Sequence, residues 1–226
     1  MTAPRPSFTV LGAKAVEFAV APTLAFRLEV TEPTGRDIHT IALTCLVNID
    51  PVHRDYDPDT RALLFELFGE PGRWVQTARS FRWLQTGVLV PSFTGSARFE
   101  VPLLCNFDLE LAATKYFYSL PDGEIPLTFF FSGTILYRGD DGALQAAQVP
   151  WERQAIFRLP VATWKDMVTH YYPQRGWVGL HADTLAALSR YKAARGLPTF
   201  DACVSALLLS PADGAAAAAA AARTGA

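Results

Sequence analysis

A chain of 226 residues, half of them apolar and 27 of them aromatic (5 Trp, 7 Tyr, 15 Phe), is too hydrophobic to stay disordered and long enough to bury a core without disulfides. Twenty basic against 22 acidic side chains leave a net charge of −2, which excludes the overall electrostatic footprint of a phosphate-backbone binder. Cys45, Cys105 and Cys203 are an odd, widely separated set in apolar surroundings, the usage of buried thiols in a reducing compartment rather than of a disulfide framework.

The apolar region from Val10 to Phe26 is interrupted by Lys14, Glu17 and Pro22. No run reaches the roughly 18 apolar residues of a membrane span, so a soluble cytoplasmic protein is expected. Leu24, Phe26, Leu28 and Val30 then alternate with Ala25, Arg27, Glu29 and Thr31, a period of two that places four apolar side chains on one strand face. After the turn signal Glu32-Pro33-Thr34-Gly35, the run Ile41, Leu43, Cys45, Val47, Ile49 repeats the alternation, which predicts that the two segments pair as a hairpin.

An insertion from Pro51 to Arg79 follows. Asp57-Pro58-Asp59-Thr60 precedes Leu63, Leu64, Leu67 and Phe68, and Gly69 with Pro71 closes the run, so a short helix is predicted here, capping one end of the core or framing a binding surface. Ala97, Phe99, Val101 and Leu103 form a further strand, and Pro102 within it marks an edge or an end. Asn106 to Leu120 reads as a strand by the alternation of Leu109, Leu111 and Ala113, although Ala112, Ala113, Tyr116 and Phe117 also fit a helical face. Ile125 to Tyr137 and Trp151 to Leu159 complete the strands. The whole predicts a mainly β fold, an antiparallel β-sandwich over 1–160 with a short helical insertion.

From Pro160 the period changes. Val161, Trp164, Met167 and Val168 fall at helical spacing and Pro173 stops the run. Asp183 or Thr184 can cap a helix carrying Leu185, Leu188 and Tyr191, Gly196 can end it, and Thr199 caps a last helix with Cys203, Val204, Leu207 and Leu208. Residues 161–210 are thus a helical C-terminal appendage ending in a hairpin. Residues 211–226, with alanines from Ala215 to Ala222, are expected to be a disordered tail.

The hairpin and the preceding Val178-Gly179-Leu180-His181 are similar to the ribbon-helix-helix DNA-binding module, which implies a regulator. The strand, however, offers no Arg, Lys, Asn or Gln to meet base edges. Residues 161–210 carry five basic and three acidic side chains, so a structural hairpin is favoured and no nucleic acid is expected as partner.

The four histidines, His39, His53, His170 and His181, share no metal-ligand spacing, no serine sits in GxSxG, and no glycine-rich phosphate loop occurs. No catalytic residue, cofactor site or metal ligand is assigned. A cleft gathering His53, Asp55, Asp57 or Glu70 with shifted pKa values would reopen an enzymatic reading. Gly69-Glu70-Pro71-Gly72-Arg73-Trp74 reads as a turn presenting Trp and Arg together, types enriched at interface hot spots, with a Trp folded onto the core as the equal alternative. Together with the titratable stretch before the helix, this makes His53, Arg54, Tyr56, Arg73 and Trp74 the candidate interaction surface. A rival reading is a small apolar ligand held among Trp83, Tyr116, Tyr118, Phe129 and Phe131.

Ala21-Pro22-Thr23-Leu24 to Phe26, Val30 to Gly35, Leu67-Phe68-Gly69-Glu70-Pro71, Trp74, Val90 to Gly95 and Leu188 to Thr199 resemble an uncharacterised family of bacterial proteins over most of residues 7–209. That family resembles a recurring neighbour of genes for uptake NiFe hydrogenases and their maturation factors. The resemblance implies a non-enzymatic accessory or assembly protein, with a hydrogenase subunit or maturation factor as partner, and carries over no catalytic residue or cofactor. The three cysteines do not form the paired ligand set of a nickel or iron carrier.

Overall fold

The computed structural model describes residues 3–105, 111–173 and 178–209; the tail expected at 211–226 and Trp177 lie outside them. The chain forms two compact units, Met1–Arg175 and Gly176–Ala226. The first contains, in order, β1 (Ser7–Ala15), β2 (Thr23–Thr31), β3 (Asp37–Ile49), α1 (Pro58–Leu63), α2 (Phe65–Phe68), α3 (Trp74–Thr77), β4 (Phe81–Val90), β5 (Phe93–Thr94), β6 (Ser96–Leu104), α4 (Leu111–Ser119), β7 (Glu124–Arg138), β8 (Leu144–Gln148), β9 (Gln154–Pro160) and α5 (Val161–Tyr171).

Every strand pairing is antiparallel. A three-stranded sheet runs β1-β2-β6. The larger sheet runs β4-β3-β7, with β8 and β9 sharing the far side of β7 and β5 extending β3. The sheets overlie with β1 against β9 and β6 against β4. Between them lie the alternating faces that the sequence predicts: Phe26, Leu28 and Val30 from β2, Ile41, Cys45 and Val47 from β3, and Leu127 and Phe129 from β7, all fully buried. Pro102 sits in β6, an edge strand of its sheet, where its missing N–H costs no ladder bond.

The predicted β2–β3 hairpin does not form. β2 pairs with β1 and β6, while β3 pairs with β4, β5 and β7, so the two strands face each other across the core instead of lying side by side. The reversal between them is held by Glu32, a carboxylate only 1% exposed. One of its oxygens accepts from Arg5 N at 3.1 Å, and the other accepts from Thr34 N at 3.0 Å, Thr34 Oγ1 at 2.7 Å and Arg36 N at 3.3 Å. Those donors offset the cost of burying the charge and fix the chain's passage from one sheet to the other.

The strand reading of Asn106 to Leu120 is also corrected. Leu111–Ser119 is helix α4, because Ala113, Tyr116, Phe117 and Leu120 fall on one face and are buried together; residues 106–110 lie outside the described set. Trp151, expected to open a strand facing the core, stands 90% exposed in the turn before β9.

Helix α5 forms where the 3.6-residue spacing places it. Val161, Trp164, Met167 and Val168 are buried in the core of the first unit, and Tyr171 donates its hydroxyl proton to Val16 O at 2.7 Å, tying α5 to the β1–β2 turn. The first unit therefore runs past the boundary expected at residue 160 and takes in the opening helix of the predicted appendage.

In the second unit, α6 (Ala182–Ala194) and α7 (Phe200–Leu209) are joined through Gly196 at φ 62°, a left-handed conformation glycine adopts without strain. Thr199 Oγ1 caps α7 by accepting from Ala202 N at 3.0 Å. α6 starts earlier than expected, directly after His181, which leaves Asp183 and Thr184 inside it rather than at its cap. Val178 to His181 form no strand and are exposed.

Candidate interaction surface

Asp57 begins the end cap. Its carboxylate accepts from Thr60 N at 2.8 Å and Thr60 Oγ1 at 2.5 Å, and these bonds, the hydroxyl's first, hold its pKa below the usual carboxylate range. That shift is a helix cap's signature, so it needs no catalytic role. Gly69, at φ 71°, ends α2 and turns the chain toward α3.

Of the two readings that the sequence leaves open for Trp74, the structure takes the fold onto the core and removes it from the candidate surface. The turn does not present it: the indole is 8% exposed, donates Nε1–H to Gly69 O at 2.9 Å, and packs edge-on against Tyr56 and Phe68 at 5.3 and 5.5 Å between ring centroids. Burying a large apolar ring outweighs leaving it in water once the indole N–H has a partner. Tyr116 joins the same cluster and shares a 2.7 Å hydroxyl–hydroxyl bond with Tyr56, whose own hydroxyl also reaches Pro51 O at 2.8 Å. The insertion is thus a lid on the end of the sandwich. Arg73 stays exposed on it without its aromatic neighbour.

Two of the other predicted residues meet in a shallow polar depression of about 470 Å³ lined by His53, Arg54, Asp55, Glu124 and Arg158. Arg54 closes its floor, donating to Glu124 O at 2.8 Å and Asp122 O at 2.6 Å, with its guanidinium 5.8 Å from the Tyr56 ring centroid. Arg54 is therefore a clamp between the insertion and β7 before it is anything else. Two guanidiniums against two carboxylates leave the depression without a net sign, and Asp57 and Glu70 do not line it. Among the described residues, no group of three or more His, Cys, Asp or Glu side chains is arranged to hold a metal ion.

Of the aromatic side chains expected to line an apolar pocket, Trp83, Tyr116, Phe129 and Phe131 are core. Phe129 meets Phe26 at 5.1 Å and Phe131 at 6.3 Å, and Trp83 meets Phe117 at 4.9 Å. Ring-to-ring contact fills the volume a ligand would take. Tyr118, 39% exposed, covers Trp164 at 5.0 Å from outside.

Burial pushes the Cys45 thiol up to about 12 and raises the Tyr56 and Tyr116 hydroxyls above their ordinary range, desolvation being the largest cause in each. The folded chain therefore keeps protons that the unfolded chain releases from about pH 8.5 for the thiol and about pH 10 for the phenols, so stability falls as pH rises through that window. Denaturation midpoints are expected to drop steadily on going alkaline. Cys45→Val removes the earlier part of the slope and Tyr116→Phe the later part; a profile unchanged in both variants contradicts the assignment.

The second unit presents the opposite balance of exposure. Over α6 and α7 Cys203 alone is buried, while Leu185, Phe200, Val204, Leu208 and Leu209 are 43–83% exposed. α7 is apolar around most of its circumference, a pattern found on helices that are covered. Sequence periodicity predicts these helices but does not reveal that the hairpin leaves its leucines in water.

The described residues therefore define a capped antiparallel β-sandwich and a helical hairpin with five large apolar side chains exposed. The chain belongs to a family of unknown function, DUF6084, whose model matches residues 3–216. No curated protein matches it. Among solved structures it is similar to a protein described as late embryogenesis abundant (13% identity, 70% of this chain and 72% of that one, TM-score 0.34). It is similar also to a protein described as ApaA from Bordetella pertussis (12%, 69% and 93%, 0.24) and a β-glucosidase from Kluyveromyces marxianus (6%, 70% and 15%, 0.23).

Proposed function

We propose that this protein is a non-enzymatic accessory or assembly factor that works through protein–protein contact, with the α6–α7 hairpin as its contact element. The observation that carries the reading is the hairpin's exposure: two short helices burying one cysteine between them hold five large apolar side chains in water. A pair of helices this short gains little stability alone, and a partner's surface supplies the missing burial. The likeness of this sequence to a family encoded beside uptake NiFe hydrogenase genes supports hydrogenase subunits or their maturation factors as the partners. His53, Arg54 and Arg73 remain exposed or half-exposed polar residues suited to a rim, not to an anchor.

Affinity capture with the tagged full-length chain in its native cells tests this. Hydrogenase or maturation proteins are expected in stoichiometric yield with the wild type and to be lost with the double variant Leu208→Asp, Leu209→Asp, which changes only exposed positions. Equal recovery by both forms, or recovery of neither class of protein, contradicts the proposal.

A further inference from the structure

Several surface carboxylates of the first unit hold a cation. On the outer face of the small sheet Glu29 meets Arg98 at 2.9 Å and Glu100 meets Lys14 at 2.7 Å, and in the β7–β8 turn Asp140 meets Arg36 at 2.5 Å. Asp37 holds none among the described residues, although Arg138 stands on the next strand. Ile38 pairs with Phe93 of β5 on one side and Tyr137 of β7 on the other, so Asp37 has Thr94 on one flank and Arg138 on the other, all three exposed. Each charge is held on its own side. Thr94 Oγ1 donates to Asp37 Oδ1 at 2.5 Å, and Arg138 donates Nη1–H to Gly142 O at 3.4 Å, toward the β7–β8 turn. Both charged side chains line a depression of about 340 Å³, together with His39, Ser92 and Phe93. His39 reaches it through an irregularity in β3: Ile38 faces Tyr137 and Thr40 faces Leu136, which leaves His39 as the extra residue of a bulge. Bulges re-aim a side chain in this way.

We infer that this depression binds a small zwitterion, a free α-amino acid, with its carboxylate on Arg138 and its ammonium on Asp37. A ligand of one charge satisfies one of these groups and leaves the other without a partner. A zwitterion supplies both counter-charges at once and stands where the Asp37–Arg138 ion pair would otherwise form. The Ser92 hydroxyl and the His39 ring then face the ligand's side chain. The volume lies at the low end of the roughly 300–1,000 Å³ of small-molecule sites, enough for an amino acid and short for a peptide. Because the depression is shallow and wet, both charge contacts are screened, and a dissociation constant on the order of 1 mM is expected.

The site belongs to the first unit and does not depend on the hairpin reading. Heteronuclear NMR titration of the full chain with each of the protein amino acids in turn tests it. Saturable shifts confined to the amides of residues 37–39, 92–94 and 138 are expected with at least one of them. The same amino acid with its amine acetylated, or with its carboxylate amidated, is expected to bind about 5-fold more weakly or worse, the upper range for losing one exposed charge contact. Asp37→Asn keeps an acceptor for Thr94 and Arg138→Gln keeps a donor for Gly142, so each removes a charge without removing its anchor. Each variant is expected to weaken binding by a similar factor while the rest of the spectrum stays that of the wild type. No saturable shift with any amino acid, blocked forms that bind as well as the free one, or unchanged binding by either folded variant overturns the inference.

Discussion

Gly133→Ala is expected to be the most damaging single methyl group that can be added to this chain. Gly133 lies in the middle of β7, opposite Leu43 of β3, at φ 144°, where a Cβ would stand 2.0 Å from Ala42 O and 3.0 Å from its carbonyl carbon. The obstacle is backbone on the neighbouring strand, so no side chain can rotate away. Relief requires β3 and β7 to separate, and these are the two longest strands, whose register aligns the core residues Leu43, Cys45, Phe129 and Phe131. A strained backbone plus a broken ladder at this point costs about 4 kcal/mol or more, a large share of the roughly 5–15 kcal/mol that holds a domain. Urea titration of the purified variant reads the result; a loss under about 1 kcal/mol contradicts the close approach of β3 to Gly133.

Trp164→Ala is expected to cost about 3–5 kcal/mol, the range for deleting a buried Trp side chain. The indole is 1% exposed and packs edge-on against Phe117 of α4 and Tyr118, at 5.1 and 5.0 Å. Its neighbours Val161 and Met167 are fully buried, so α5 contributes side chains to the core of the first unit. A chain ended at residue 160 is therefore expected not to fold, whereas the full chain carrying Leu208→Asp should unfold at the wild-type midpoint for the first unit. Chemical denaturation followed by circular dichroism separates these outcomes. If Trp164→Ala is nearly neutral, α5 is peripheral and the boundary expected at residue 160 stands.

The alternating faces of β2, β3, β6, β7 and β9 were legible because a half-buried strand imposes a period of two on the sequence. Which strand pairs with which was not, because alternation marks a face to be buried without naming the neighbour. Leu24 to Val30 and Ile41 to Ile49 look alike whether adjacent or facing across a core, and the deciding residue, Glu32, shows its role only once Arg5, Thr34 and Arg36 surround it. β1 was hidden by the register shift between Val10 and Gly12, which breaks its pattern. α4 was ambiguous because Ala113 satisfies both periods. Trp74 was undecidable locally, since the Gly69 carbonyl that satisfies its indole is positioned by a left-handed glycine no periodicity reports.

The contact role of the hairpin is tested most directly by photo-crosslinking from position 208 in native cells. A photoreactive side chain replacing Leu208 is expected to give a discrete adduct containing a hydrogenase subunit or maturation factor, while the same group replacing Thr9, on the charged outer face of the small sheet, gives none. Adducts of equal yield from both positions, or no adduct from position 208, would contradict a protein that works through its C-terminal helices.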